Sequence, residues 1–197
     1  MEKDGGPVIG IQIENEYGHV GGLQGPEGEA HIRTLTAMAK EIGFDVPLYT
    51  ATGWGGACIG DLLPVMGGYC EAPWDQRTCE IEPNANFVFS HTRNDALIAC
   101  DHHVENANSY NEEDFPFLTA ELGGGLQVTM HRRPVAKGCD VGAMSTVKMG
   151  SGAGLLGYYM YHGGSNPKGK LSTLQESRAT GYLNDLPEIN YDFNAPI

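Results

Sequence analysis

Positive charge is scarce in this sequence. Its 197 residues include 12 Lys and Arg against 25 Asp and Glu, which gives a formal net charge of −13 at pH 7. A chain this acidic repels phosphate backbones and anionic lipid headgroups. Nucleic acids and membrane surfaces are therefore poor candidates as partners.

Long apolar runs and targeting segments are also lacking. No stretch approaches the roughly 18 apolar residues that a membrane-spanning helix needs. The start of the chain, Met1 to Gly6, has neither the basic nor the apolar region of a secretion signal. The sequence thus predicts no membrane span, and its location is cytoplasmic if Met1 is the true start.

The five cysteines form no CxxC pair, and their number is odd. This argues against a disulfide framework and against a zinc knuckle. Structural thiols in a reducing compartment are the favoured interpretation. Because three of the five are close in sequence, a metal cluster or a local disulfide stays an alternative. Those three are Cys58, Cys70 and Cys79, and the others are Cys100 and Cys139.

The sequence has no internal repeat and no low-complexity tract, which indicates one domain or part of one. Short apolar runs alternate with stretches of helical spacing. Strands are predicted over 7–13, 47–51, 63–69, 86–90, 115–122 and 154–161, and helices over 30–42, 95–109 and 136–149. In the first helix the apolar face comprises Ile32, Leu35, Met38, Ala39 and Ile42, and Gly43 is the stop signal.

Strands that alternate with helices are typical of α/β folds with a parallel sheet. Acidic and polar residues gather just after the strands, where parallel α/β folds keep their catalytic groups. A closed (β/α)8 barrel takes about 250 residues, and this chain holds only about five strand and helix units. The predicted fold class is therefore α/β, an incomplete (β/α)8 barrel.

Three carboxylates follow predicted strands. Regular alternation would place Glu14 and Glu16 on one side of the first strand with Asn15 opposite, unless the chain kinks there. Glu121 ends a run that is otherwise apolar, and burial of a carboxylate is costly unless it is paired or has a task. Two such groups on different strands are what hydrolysis of a glycosidic bond requires. A helix cap or a solvated loop group is the alternative interpretation of each.

Four motifs resemble glycoside hydrolase family 35, the β-galactosidases. GGPVIGIQIENEYG at 5–18 resembles the segment that carries the family's acid/base, and TAE at 119–121 resembles its nucleophile segment. YYMYHGGSN at 158–166 resembles the final-strand motif, and INYDFNAPI, which ends at Ile197, resembles the segment that finishes the catalytic domain. The order of the motifs matches that of the family. The resemblance implies a partial catalytic domain over 1–197, about strands 4 to 8 of the barrel, with the N-terminal strands missing.

The resemblance also assigns roles. It implies that Glu16 is the acid/base and that Glu121 is the nucleophile of a retaining mechanism. Asn15 would hold the sugar 2-hydroxyl, and Glu14 would help to bind galactose hydroxyls. Because the two glutamates need different pKa values, the pKa of Glu16 should be the raised one.

Further contacts with the sugar are expected from aromatic residues. Trp74 is a candidate wall of a sugar subsite. The family commonly has a second tyrosine in its terminal segment, where this chain has Phe193, so that hydrogen bond is lost or moves to Tyr191.

By this resemblance the substrate is a β-galactoside oligosaccharide or glycoconjugate, with no metal and no organic cofactor. The missing N-terminal half of the barrel is the expected protein partner. Two alternatives to a β-galactosidase stay open. One is a catalytically silent fragment that could retain galactoside binding, and the other is a related barrel hydrolase for another sugar.

Overall fold

The computed structural model describes residues 5–15, 17, 25–51, 61–70, 85–90, 110–123 and 135–170. The strands are β1 (Ile11–Asn15), β2 (Leu48–Ala51), β3 (Leu63–Tyr69), β4 (Thr119–Gly123) and β5 (Tyr158–Tyr159). The α-helices are α1 (Gly25–Glu41) and α2 (Gly138–Gly150), and short 3-10 turns span Ala85–Phe87 and Glu112–Asp114. In this part of the chain, no helix has the length and apolarity of a membrane span.

The five strands form one sheet in chain order, and every neighbouring pair is parallel. Parallel neighbours need a crossover connection, which α1 supplies between β1 and β2 and α2 supplies between β4 and β5. The sheet is half of a barrel, as expected for an incomplete (β/α)8 fold. The assignment of these strands to barrel positions 4 to 8 stays a prediction.

Helix α1 ends where the sequence predicts. Gly43 has a φ of 93°, which costs a glycine little. Its N–H donates to the Lys40 carbonyl, and the Phe44 N–H donates to the Ala39 carbonyl. This pair of bonds is a Schellman motif, and it satisfies carbonyls that the end of the helix would leave unpaired.

The buried face of α1 is narrower than predicted. Ile32 and Ala39 are buried and Leu35 is half-buried, whereas Met38 is 54% exposed and Ile42 is 70% exposed. The buried pair packs with Ile13 of β1, Leu48 of β2 and Leu62 in one apolar cluster. The helix therefore contacts the sheet along a single stripe, and the prediction was wrong for Met38 and Ile42.

Several predicted boundaries were wrong. Strand β1 begins at Ile11 rather than at residue 7, β4 begins at Thr119 rather than at residue 115, and β5 has two residues. Helix α1 begins at Gly25, before the predicted start, whereas α2 lies within two residues of its prediction. The predicted helix over 95–109 lies outside the described residues.

The predicted strand over 86–90 was also wrong. A 3-10 turn occupies Ala85–Phe87, and the Asn86 side chain donates to the Tyr69 carbonyl at 3.1 Å. Phe89 lies against the end of α2, where a Cβ at Gly150 would overlap its ring. Phe89 thus lies over the end of α2, and Val88 and Phe89 are both largely exposed instead of alternating across a sheet.

Thr119 joins β4 to the segment that precedes β5. Its side chain is fully buried, and the hydroxyl donates to the Leu155 carbonyl at 3.1 Å and accepts from the Gly157 N–H at 3.2 Å. A Cβ at Gly157 would meet the Thr119 carbonyl oxygen at 2.7 Å. The backbones at Thr119 and Gly157 therefore lie close together, two residues before Glu121.

Gly123 gives a test of the packing between β3 and β4. A Cβ at this position would overlap the Tyr69 ring, because Tyr69 and Gly123 are paired in register. We expect Gly123→Ala to lower the free energy of unfolding by about 1–3 kcal/mol, the usual range for overpacking. Chemical denaturation of the purified chain measures this change.

Gly142 provides the matched control, since it lies exposed within α2 with open space where a Cβ would be. Gly142→Ala should raise stability by about 0.5–1 kcal/mol, the difference in helix propensity. Equal effects of the two substitutions would contradict the packing argument.

Candidate functional site

The predicted site residues that the structure describes lie at one edge of the sheet. Because all strands are parallel, their carboxyl ends meet at the same edge. Glu14 and Asn15 are the last residues of β1, and Glu121 is near the end of β4. Three other predicted site residues, Glu16, Trp74 and Tyr191, lie outside the described residues.

Strand β1 kinks as it leaves the sheet. Glu14 has a φ of 59°, in the left-handed region that a side chain rarely adopts. The pairing register with β2 shifts between Gln12 and Asn15. Regular alternation of Glu14 and Asn15 therefore does not hold, and the kinked arrangement considered from the sequence is the one found.

The Gln12 side chain braces this kink. Its Nε2 donates to the Glu14 carbonyl at 2.9 Å and lies 3.1 Å from the Asn15 Oδ1. The Asn15 oxygen therefore has a partner within its own strand. The Asn15 amide nitrogen is left as the group that can donate to a ligand.

The carboxylate of Glu14 contacts helix α1. Its Oε1 lies 2.8 Å from Nε2 of His31, and both side chains are about two-fifths exposed, 37% and 40%. The Tyr17 ring stacks on the His31 imidazole with a centroid distance of 5.1 Å and an interplanar angle of 25°. The sequence gives no signal for His31 as a site residue, since only the fold brings this helix residue to the end of β1.

Glu121 lies beside an aromatic hydroxyl. The Tyr69 hydroxyl donates to Oε2 of Glu121 at 2.9 Å. Tyr69 can reach across because its partner in register, Gly123, has no side chain, and Glu121 is on the same face of β4 two residues earlier. Tyr159 packs edge-on against Tyr69 at a centroid distance of 6.1 Å.

The pKa of Glu121 is raised above the ordinary glutamate value. Burial is the larger cause, since it penalises the charged carboxylate, and the hydrogen bond from Tyr69 opposes the shift. The family resemblance led us to expect a raised pKa at Glu16, which lies outside the described residues. Among the described carboxyls, Glu121 has a raised pKa, and burial is the larger cause.

Tyr69 is a candidate site residue that was not predicted from the sequence. The signal was present, because an aromatic hydroxyl ends the strand directly after Gly67 and Gly68. What the sequence could not show is the register that sets Tyr69 opposite Gly123 and thus within reach of Glu121.

Two of the five cysteines lie in the described residues, and both are free thiols. Burial raises the pKa of Cys70 to about 11, with a smaller contribution from the charge of Asp140. This thiol is therefore protonated at neutral pH. Within the same residues, no group of three or more His, Cys, Asp or Glu side chains could hold a metal ion.

The raised pKa of Glu121 predicts a pH-dependent stability. A folded-state pKa above the unfolded one gives stability that is complete below the unfolded pKa and is lost as pH rises through the folded one. Glu121→Gln removes this loss, because the amide stays neutral and can still accept from Tyr69. We expect the variant to be more stable by about 1 kcal/mol at pH 7, a common gain for a single stabilising substitution.

Thermal unfolding between pH 4 and pH 8 measures this difference in stability. The difference should become smaller as the pH falls toward 4, where an ordinary glutamate becomes protonated. Glu113→Gln is the control, since Glu113 is exposed in a 3-10 turn. If Glu121→Gln raised the stability equally at every pH, this would contradict a raised pKa of Glu121.

Comparison with known proteins agrees with this architecture. Beta-galactosidase 17 of Arabidopsis thaliana is 28% identical over 206 residues, which cover 100% of this chain and 25% of the relative. Beta-galactosidase 6 of Oryza sativa subsp. japonica is 28% identical over 198 residues, which cover 99% of this chain and 17% of the relative. The chain thus spans a quarter or less of the length of these curated relatives, and no solved structure matches it. The family model described as glycosyl hydrolases family 35 matches residues 1–197, and the chain belongs to that family.

Proposed function

We propose that this chain contributes the catalytic carboxylates of a retaining glycosidase that acts on terminal β-galactosides. The observation that supports this most is Glu121, a half-buried carboxyl with a tyrosine partner at the carboxyl edge of a parallel sheet. Its place in a family 35 chain, and the names of the relatives, favour β-galactosides as substrates.

In the first step of the proposed reaction, the carboxylate of Glu121 attacks the anomeric carbon. The bond between that carbon and the leaving oxygen breaks as Glu16 gives its proton to the oxygen. A covalent glycosyl ester on Glu121 results. In the second step Glu16 removes a proton from water, which displaces Glu121 and restores the β configuration. This mechanism needs carboxyl groups roughly 5 Å apart.

Tyr69 supports the nucleophile in this proposal. Attack requires ionised Glu121, whereas burial favours the neutral acid. The Tyr69 hydroxyl stabilises the carboxylate and engages Oε2. The other oxygen, Oε1, is then the atom that would attack the sugar. Tyr69 would thus offset part of the cost of burial and orient the carboxylate.

The sugar contacts in the proposal follow the family resemblance. Asn15 would donate its amide N–H to the 2-hydroxyl, which fits the contact of its Oδ1 with Gln12. Glu14 would accept from galactose hydroxyls. Trp74 would form a wall of the subsite, and Tyr191 would donate to the sugar the hydrogen bond that Phe193 cannot.

A catalytically silent fragment that binds galactosides is the second candidate. It is favoured by the two outer strands of the described sheet, because β1 and β5 each pair with a single described neighbour. A closed barrel has no such edges. Thermal unfolding together with turnover of an aryl β-galactoside by the purified chain separates the candidates: cooperative unfolding with turnover excludes silence.

Azide rescue tests the roles of the two glutamates. Glu121→Gly should abolish turnover of an aryl β-galactoside, a loss of at least about 10⁴-fold. Azide then attacks the substrate directly in the emptied space, so the product should be the α-galactosyl azide. In Glu16→Ala, azide intercepts the covalent intermediate and should give the β-galactosyl azide. NMR of the isolated azides distinguishes the two anomers.

The experiment is run on the 197-residue chain and on a chimera that adds the preceding barrel strands of the Arabidopsis relative. Full activity of Glu121→Gly in the active form would refute the nucleophile role. A β-azide from that variant would refute retention through Glu121.

Tyr69→Phe tests the electrostatic role of the tyrosine. Because its hydrogen bond lowers the pKa of Glu121, its loss should raise that pKa further. The acidic limb of the profile of kcat/KM against pH should move to higher pH. Tyr158→Phe is a matched control, since the Tyr158 hydroxyl donates to Ser145 instead. An unchanged acidic limb in Tyr69→Phe would contradict this role.

A further inference from the structure

The imidazole of His31 contacts one residue at the end of β1 and one residue just beyond it. It reaches Glu14 through Nε2 at 2.8 Å and Tyr17 through ring stacking at 5.1 Å. Only two residues, Asn15 and Glu16, lie between these contacts. One side chain of α1 thus engages the segment on either side of the proposed acid/base.

His31 is itself held on a packed helix. The next residue, Ile32, is 1% exposed and belongs to the apolar cluster with Ile13 and Leu48. Ile13 directly precedes Glu14 in β1. The same core therefore holds both the end of β1 and the helix that carries the imidazole.

The kink at Glu14 needs such support because its backbone conformation is unfavourable. A non-glycine residue in the left-handed region costs about 1–2 kcal/mol, and Glu14 adopts this conformation. A conformation of this kind persists only where surrounding contacts over-determine it. Gln12 contributes from within β1, and His31 contributes from the helix.

We infer that His31 is a positioning residue for the acid/base, acting through Glu14 and Tyr17. The ring N–H of His31 donates to the Glu14 carboxylate, and its face packs on Tyr17. The two residues that His31 holds, Glu14 and Tyr17, flank position 16 in the sequence. This inference rests on the proposed function, which assigns proton transfer to Glu16.

Substitutions at His31 can separate its two contacts. His31→Gln keeps a side-chain donor for Glu14 and loses the ring, His31→Phe keeps the ring and loses the donor, and His31→Ala loses both. Arg33→Ala is the control on the same helix, because the Arg33 side chain is exposed and pairs with Glu29.

The first measurement needs no catalytic activity. Amide hydrogen exchange followed by NMR should show about tenfold faster exchange at residues 14–17 in His31→Ala, the size expected from losing a hydrogen bond to a charged group. Residues 119–123 of β4 should exchange as before, and His31→Gln and His31→Phe should be intermediate. Unchanged exchange at residues 14–17 would overturn the inference.

The second measurement uses the dependence on the leaving group. An alkoxide leaving group needs a proton from the acid, whereas dinitrophenolate leaves without one. His31→Ala should therefore lose about tenfold or more in kcat/KM for methyl β-galactoside and less than about twofold for dinitrophenyl β-galactoside. Equal losses on both substrates would overturn the positioning role, since a general loss of structure would act on both alike.

Glu16→Ala, measured in parallel, separates this inference from the proposed function. If Glu16→Ala shows the leaving-group dependence and His31→Ala does not, the positioning role fails and the proposed function stands. If Glu16→Ala lacks the dependence, the acid/base assignment itself fails. For a form of the protein without turnover, the hydrogen exchange result decides the inference.

Discussion

Parallel pairing of the five strands is the constraint from which the site follows. Because each strand runs in the same direction as its neighbour, residues that are far apart in the sequence share the carboxyl edge. Glu14 and Glu121, more than a hundred positions apart, reach that edge through this alignment. The crossover helix α1 then brings His31 to the same place. Loss of one strand pairing would therefore alter the site as well as the sheet.

Burial and the proposed role oppose each other at Glu121. Its pKa shows that the folded chain disfavours the charged form, although the Tyr69 hydroxyl compensates in part. A carboxylate with little access to water needs this compensation, because its charge is poorly solvated. The close packing of Tyr69 over Gly123 makes it possible, since any side chain at that position would move the ring. A local packing detail thus controls the electrostatics of the carboxylate.

The sequence predicted the elements that depend on local patterns. The parallel α/β class, the end of α1 at Gly43 and the run at residues 63–69 each follow from periodicity or from a residue with special backbone freedom. Segment 86–90 misled because it forms a 3-10 turn and leaves Val88 and Phe89 largely exposed, which no local pattern reveals. The exposure of Met38 and Ile42 likewise depends on which surfaces the sheet offers to α1.

For the site, family-like motifs supplied the candidate carboxylates, and Glu14, Asn15 and Glu121 lie at the expected edge. Their partners could not be predicted. Tyr69 meets Glu121 only in the observed register of β3 and β4, and His31 meets Glu14 only because β1 kinks. Contacts of this kind arise from strand register and backbone dihedrals, which single-sequence patterns leave open.

The left-handed backbone at Glu14 also restricts how this position can vary. Valine, isoleucine and threonine are branched at Cβ and fit that conformation worst, whereas glycine, asparagine and aspartate tolerate it. Evolutionary drift or directed evolution would therefore pass through a small set of residues here, and glycine would ease the backbone while giving up the carboxylate that faces His31. Retention of glutamate at position 14 among related sequences would then be a sign of selection on its side chain rather than on its backbone conformation.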